Sequence, residues 1–283
     1  MPTATLKDIE LYYEEHGRGE PVLLVPPSWW PCDTWRVVVL PVLSRRYRAI
    51  IFDPRGTGRS ERPDRGYTVS QFAEDSCALL VHLGVSRCHA VGFALGGQIA
   101  QAMAVIRPDI VATLTMAGAG PGEKSGQGGF PGITKDAGQE IREMGFEKFI
   151  RSHADNDTMA FSSSFYREHQ EVVEALARAL WEQQGSAEHF HYHQEARRTW
   201  DALANASRVR VPTLLLAGSE DTVARGDSTP LATAQRLAEL IPGSELALVP
   251  GVKHMTFWDG TQALSMLMDF LGRHPIATGE PLV

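Results

Sequence analysis

The sequence predicts an α/β fold, a mostly parallel sheet with helices on both faces and an inserted helical cap. Three observations indicate this fold class. Apolar runs of strand length recur along the chain, helical patterns separate them, and one long central stretch lacks a buried strand. Because strand–helix alternation is typical of an open parallel sheet, the 283 residues are expected to form one sheet core with one insertion.

The predicted strands are runs of Val, Ile, Leu and Ala without polar alternation, which favours strands covered on both faces. They are Val22–Val25, Ala49–Phe52, His89–Phe93, Ala112–Ala117, Thr213–Ala217 and Glu245–Val249. Ahead of them, Thr3–Leu6 and Ile9–Glu14 predict an N-terminal hairpin at the sheet edge. Helices are predicted from start and stop signals over 68–83, 96–106, 229–240 and 261–271.

The stretch 121–206 breaks this alternation. It opens with a glycine-rich segment and continues with helical, polar-aromatic patterns over 140–153, 165–183 and 187–203. A connection of this length is far longer than a simple crossover between parallel strands. We therefore expect a sheet core of residues 1–120 and 207–283, with 121–206 as a helical cap.

Composition excludes several classes of protein. The net charge of −7 and the pI near 5.8 oppose a broad nucleic-acid surface, which needs clustered positive charge. No apolar run approaches the ~18–20 residues of a membrane span, and the first residues lack a secretory signal pattern, so we expect a cytoplasmic protein. Cys32, Cys77 and Cys88 are too few and too scattered for a disulfide framework.

The segment Gly92-Phe93-Ala94-Leu95-Gly96-Gly97 lies directly after a predicted strand and before a predicted helix. This is the frame of a nucleophile elbow, whose flanking glycines allow a strained turn and close backbone packing. The start of the helix offers free N–H groups, including that of Leu95, to a developing oxyanion. The central position holds Ala94, whose side chain has no attacking atom.

Asp221 and His254 follow the elbow in the order of a nucleophile, acid and base set. Asp221 lies three residues beyond Gly218, and His254 follows the last predicted strand. In such a set the carboxylate fixes the imidazole tautomer and the histidine acts as general base. Asp221 as a helix-capping carboxylate, with Glu220 or Asp227 as the acid, stays open.

Together these motifs resemble the α/β-hydrolase superfamily, and within it the small capped esterases and lactonases, such as the 3-oxoadipate enol-lactonase and proline iminopeptidase-like groups. The resemblance covers nearly the whole chain and includes Asp53-x-Arg55-Gly56-x-Gly58-x-Ser60-x-x-Pro63. It implies hydrolysis of a small carboxylic ester or lactone through an acyl-enzyme, with position 94 as the nucleophile position. A monomer and a homodimer both stay open.

The region expected to supply the second oxyanion donor departs from the family pattern. Members usually carry His-Gly after this strand, where the chain has Pro26-Pro27. Because proline has no N–H, the donor is expected to be Ser28 N–H, beside that of Leu95. A pocket mouth walled by large aromatic groups would suit a bulky or aromatic acyl group. The expected substrate-binding residues are Trp29, Trp30 and Phe93.

Ala94 leaves three interpretations open. An engineered Ser→Ala replacement, made to trap a substrate or product, leaves the rest of the set intact. A natural enzyme could instead use His254 as a base for proton abstraction, elimination, cyclisation or cofactor-free oxygenation. A ligand-binding receptor on the same scaffold is the third. The first is favoured, so we expect an ester or lactone hydrolase in an inactive, substrate-trapping form.

No cofactor or metal site is predicted. Gly56-x-Gly58 is a weak nucleotide signal, because Glu61 stands where a dinucleotide loop needs a third small residue. His189 and His193 have the spacing of two ligands on one helix face, but no third ligand accompanies them. We expect these two and His191 to line a pocket or to face solvent.

Overall fold

The computed structural model describes residues 2–122, 137–154, 161–182, 186–222 and 228–276, and of residues 137, 138, 153 and 154 only the backbone. An 8-stranded sheet forms the centre of this part of the chain. Its strands are β1 (Thr3–Thr5), β2 (Glu10–His16), β3 (Pro21–Val25), β4 (Arg48–Phe52), β5 (Cys88–Phe93), β6 (Val111–Ala117), β7 (Thr213–Gly218) and β8 (Glu245–Val249). The predicted fold class and strand runs are confirmed.

The sheet is parallel except at one edge. Its order is β1-β2-β4-β3-β5-β6-β7-β8, and the strands from β4 to β8 in this order pair in parallel. The hairpin β1–β2 is antiparallel and joins β4 in antiparallel register, as predicted for the N-terminus. The carboxyl ends of β3, β5, β6 and β7 therefore meet at one edge, where open α/β sheets bind ligands.

The described helices outside the central insertion cover both faces of the sheet. They are α1 (Asp33–Arg36), α2 (Val39–Leu43), α3 (Val69–His82), α4 (Leu95–Ile106), α10 (Pro230–Leu240) and α11 (Gln262–Arg273). Strand β3 shows the division, since Val22 and Leu24 pack toward α1, α2 and α11, whereas Leu23 and Val25 pack toward α3, α4 and α10. Alternate side chains of one strand thus enter two separate hydrophobic clusters.

Strand β8 differs from the prediction that every strand is buried on both faces. Leu246 is 38% exposed and Leu248 is 37% exposed, and they alternate with the other residues of this edge strand. β8 is an edge strand, and the described strands and helices cover the face that carries Leu246 and Leu248 less than they cover the inner strands. An apolar run alone does not distinguish an edge strand from a central one.

Between β6 and β7 the chain forms the helices α5 (Ala137–Met144), α6 (Phe146–Ala154), α7 (Ser163–Glu168), α8 (Gln170–Glu182) and α9 (Ala187–Ala196). We refer to α5–α9 as the helical insertion. Gly145, with φ of +81°, separates α5 from α6 within the first predicted helical stretch. The predicted glycine-rich segment lies, from residue 123 onward, outside the described residues. Among the described helices none combines the length and apolarity needed to cross a membrane.

Candidate active site

The turn between β5 and α4 has the close packing that the glycine pattern predicts. A Cβ atom at Gly92 would lie 2.0 Å from the carbonyl oxygen of Gly96, and one at Gly96 would lie 2.1 Å from that of Val25. Neither position can therefore carry a side chain without displacement of backbone. The N–H of Ala94 donates to the carbonyl of Ala117 at 2.8 Å, which ties the turn to the end of β6.

Ala94 adopts a backbone conformation that L-residues rarely adopt, with φ of 51° and ψ of −113°. Such a conformation costs on the order of 1–3 kcal/mol and persists only where the surrounding structure enforces it. The methyl group is partly exposed, unlike the side chains of Phe93 and Leu95 on either side. The turn therefore presents the side chain at position 94 outward, although alanine supplies no reacting atom.

Asp221 and His254 form a buried hydrogen-bonded pair. Nδ1 of His254 lies 2.9 Å from Oδ2 of Asp221, and both residues are fully buried. Since a carboxylate accepts at Nδ1, the lone pair of the neutral imidazole is at Nε2, the nitrogen that a general base uses. Glu220 is exposed, and Asp227 lies outside the described residues. The structure thus brings Asp221, rather than Glu220, to His254.

The loops carrying this pair are joined through their backbones. The N–H of Ser219 donates to Val249 O and the N–H of Glu220 donates to Val252 O, both at 2.9 Å. A Cβ at Gly218 would lie 2.2 Å from the carbonyl oxygens of Val252 and Lys253. The glycine at the end of β7 therefore permits the approach that sets Asp221 beside His254.

A cavity lies at the elbow, between the sheet edge and the helical insertion. Neither the Ser28 N–H nor the Leu95 N–H donates to an acceptor within the described ranges, so both remain available to a ligand. His254 borders this region, because its ring packs on Phe93 with centroids 5.1 Å apart. The lining includes Ser28, Phe93, Ala94, Leu95, Gln98 and, from the insertion side, Gln194 and Arg197.

Trp29 and Trp30 are not at the mouth of this cavity, which corrects the expectation for them. Trp29 is 9% and Trp30 is 4% exposed. Trp30 packs against Phe93 and Trp258, with centroids 6.2 and 5.5 Å away, and Trp29 packs against Phe190 of α9 at 5.0 Å. Burial between sheet and insertion removes more apolar surface from water than a rim position would. These indoles form the aromatic layer behind the cavity.

The loop after β4 supports the segment that carries Ser28. Asp53 is fully buried, and its carboxylate accepts the N–H groups of Cys32 at 2.7 Å and Arg59 at 2.9 Å. A Cβ at Gly58 would lie 2.2 Å from this carboxylate. Cys32, Asp33 and Asp53 are close enough to hold a metal ion, but the guanidinium of Arg59 already pairs with both carboxylates. Burial also raises the pKa of the Cys32 thiol well above its usual value.

His193 differs from the expectation that the histidines of α9 line a pocket or face solvent. It is 1% exposed and hydrogen-bonded at both ring nitrogens, whereas His191 is exposed and His189 is half-buried. The buried face of α9 also includes Phe190, three residues earlier, and Ala196, three residues later. Helical periodicity over 187–196 was the signal that places His193 on the apolar face.

A model of the alpha/beta hydrolase fold matches residues 16–261. The non-heme haloperoxidase of Rhodococcus erythropolis is 27% identical, over 90% of this chain and 93% of its own length. The 3-oxoadipate enol-lactonase 2 of Acinetobacter baylyi (strain ATCC 33305 / BD413 / ADP1) is 28% identical, over 87% of each chain. The crystal structure of the enol-lactonase from Burkholderia xenovorans LB400 superposes with a TM-score of 0.80 at 21% identity, covering 96% of this chain and 100% of that one. The chain belongs to the family of the alpha/beta hydrolase fold.

Proposed function

We propose that the cavity at the elbow binds a small carboxylic ester or lactone, on a hydrolase scaffold whose nucleophile position is occupied by Ala94. The buried pair of Asp221 and His254, hydrogen-bonded at 2.9 Å beside the elbow, carries this proposal. A buried carboxylate and imidazole in this arrangement have a specific chemical use, because together they accept a proton from a nucleophile. The similarity to an enol-lactonase over most of both chains supports this substrate class.

With serine at position 94, each group would have a defined role. The hydroxyl would attack the substrate carbonyl as His254 Nε2 takes its proton, and Asp221 would stabilise the imidazolium. The N–H groups of Ser28 and Leu95 would donate to the oxyanion of the tetrahedral intermediate. Protonated His254 would then give its proton to the departing alkoxide, leaving an acyl-enzyme that water hydrolyses.

With Ala94 the first covalent step has no attacking atom. Binding and oxyanion stabilisation remain, so the chain as it stands retains the substrate without forming an acyl-enzyme. A bulky or aromatic acyl group would contact Phe93, the aromatic ring among the described residues that lines the cavity. The scaffold is in this view an ester or lactone hydrolase in a substrate-retaining form.

A second candidate function is non-covalent chemistry with His254 as general base. One observation favours it: the pair with Asp221 stays buried and hydrogen-bonded although position 94 supplies no hydroxyl group for it to activate. A base of this kind could remove a proton from the substrate itself and so lead to elimination or cyclisation. Turnover by the Ala94 chain that disappears in His254→Ala would favour this second function.

The test compares the chain with its Ala94→Ser variant against aryl esters and lactones, and for labelling by a fluorophosphonate probe. We expect labelling and turnover only in the serine form, and loss of both when His254→Ala is added. Ala94→Gly is the matched control, since it also changes the turn but adds no hydroxyl group. A folded Ala94→Ser protein that neither reacts with the probe nor hydrolyses any ester or lactone would overturn the proposal.

A further inference from the structure

His193 connects the helical insertion to two loops of the sheet core. Its Nδ1 accepts the backbone N–H of Trp29 at 3.0 Å, and its Nε2 lies 2.8 Å from the carbonyl oxygen of Arg55. Because a backbone N–H can only donate and a carbonyl oxygen can only accept, the ring is neutral and carries its hydrogen on Nε2. Thr57 Oγ1, 3.2 Å from Nε2, is a second partner on the same loop.

The peptide group that His193 holds is next to the candidate oxyanion donor. Trp29 N–H belongs to the peptide between Ser28 and Trp29, which is joined through the Ser28 Cα to the peptide that carries the Ser28 N–H, so holding the first peptide in place restrains the second. Trp29 has φ of 56°, and among the described residues it shares a positive φ outside glycine only with Ala94. Strained backbone of this kind needs surrounding contacts that enforce it.

We propose that His193 is a positioning residue for the oxyanion loop, which we define as residues 26–31. By accepting Trp29 N–H it fixes the peptide after Ser28 and directs the Ser28 N–H into the cavity. Because His193 is on α9, the direction of the Ser28 N–H depends on how the helical insertion packs on the sheet core. The role in catalysis rests on the proposed function, in which Ser28 N–H stabilises an oxyanion.

Two variants separate the two hydrogen bonds of His193. The side-chain oxygen of asparagine reaches the position of Nδ1, so His193→Asn retains an acceptor for Trp29 N–H and loses the bond to Arg55. The side-chain nitrogen of glutamine reaches the position of Nε2, so His193→Gln retains the bond to Arg55 and loses the acceptor for Trp29. A structural role in general would make the two variants equally defective, since each loses one buried hydrogen bond.

Kinetics in the Ala94→Ser background give the first readout. We expect His193→Gln to lower kcat roughly ten- to hundredfold with little change in KM, because misplacing an oxyanion donor weakens transition-state binding. His193→Asn is expected to retain kcat within roughly threefold, a change smaller than that caused by loss of a donor. Equal losses of kcat in the two variants, or a loss confined to KM, would overturn the proposal.

Hydrogen exchange gives a second readout that needs no catalysis. The oxyanion loop contains Pro26, Pro27 and Pro31, so its exchangeable backbone amides are those of Ser28, Trp29 and Trp30. We expect His193→Gln, but not His193→Asn, to speed exchange in this peptide roughly tenfold, which corresponds to one lost hydrogen bond. Unchanged exchange in His193→Gln would overturn the positioning role. If exchange is faster in His193→Gln but not in His193→Asn while Ala94→Ser stays inactive, the proposed function fails and the positioning of the loop by His193 stands.

Discussion

Oδ2 of Asp221 lies 2.9 Å from Nδ1 of His254, and the second carboxylate oxygen, Oδ1, has no hydrogen-bond partner among the described residues. The carboxylate is thus aligned with the imidazole by one contact and by its backbone position, where Asp221 N–H donates to Gly218 O at 3.1 Å. His254 is the one hydrogen-bond partner of this buried carboxylate among the described residues. Replacing the carboxylate by a neutral amide therefore acts directly on the hydrogen bond to the imidazole.

Asp221→Asn in the Ala94→Ser background is expected to lower kcat by roughly 10³–10⁴, because an amide can present its N–H group to Nδ1 and so favour the wrong tautomer of His254. Steady-state kinetics on an aryl ester and the rate of fluorophosphonate labelling measure the effect. Glu220→Gln is the matched control, since Glu220 is the exposed neighbour. If Glu220→Gln lost as much activity as Asp221→Asn, the acid would be misassigned.

Ala94→Gly is expected to stabilise the protein by about 1 kcal/mol, because glycine adopts a positive φ without the steric penalty that alanine has there. Thermal or urea unfolding measures this difference. Ala175→Gly, at an exposed position inside α8, is the control and should destabilise by about 1 kcal/mol. Opposite signs at the two positions would show that strain at Ala94, rather than glycine itself, causes the change.

Gly96→Ala is expected to destabilise the protein by several kcal/mol, or to prevent folding, since a Cβ at this position would lie 2.1 Å from Val25 O. Backbone cannot move aside here without separating α4 from β3. At Gly272, near the end of α11, an added Cβ meets nothing within 4 Å. Gly272→Ala should therefore stabilise by about 0.5–1 kcal/mol, the helix preference of alanine over glycine. Soluble yield and urea unfolding of the two variants provide the comparison.

The sequence was sufficient for the sheet and the elbow because both depend on local patterns. Continuous apolar runs mark strands between helix layers, and Gly92 and Gly96 mark a turn that excludes side chains. The contact between His193 and Trp29 joins residues 164 positions apart, and nothing local to either residue specifies it. The burial of Trp29 and Trp30 depends in the same way on the packing of the helical insertion. Contacts between residues far apart in the sequence decide where His193, Trp29 and Trp30 lie.

Protonation of His193 is expected to destabilise the protein in mild acid. Burial lowers its pKa from 6.5 to about 4, helped by the nearby charges of His189 and Arg55 and opposed by the hydrogen bond to the Arg55 carbonyl. The unfolded chain therefore binds more protons than the folded one, and stability falls as the pH decreases from 6.5 towards 4. The full effect is about 3 kcal/mol at 1.36 kcal/mol per unit of pKa.

Urea unfolding at pH 7, 5.5 and 4.5 measures this dependence, and His193→Asn isolates the contribution of this residue. Burial also lowers the pKa of His89, so part of the acid sensitivity should remain in the variant. The pKa of Glu14 is lowered to about 2 by its hydrogen bonds to Tyr12, His16 and Arg36, so its effect appears at lower pH, below about 4.5. The difference between the chain and His193→Asn should therefore shrink as the pH falls from 7 to 4.5. A constant difference would show that His193 does not remain neutral through this range.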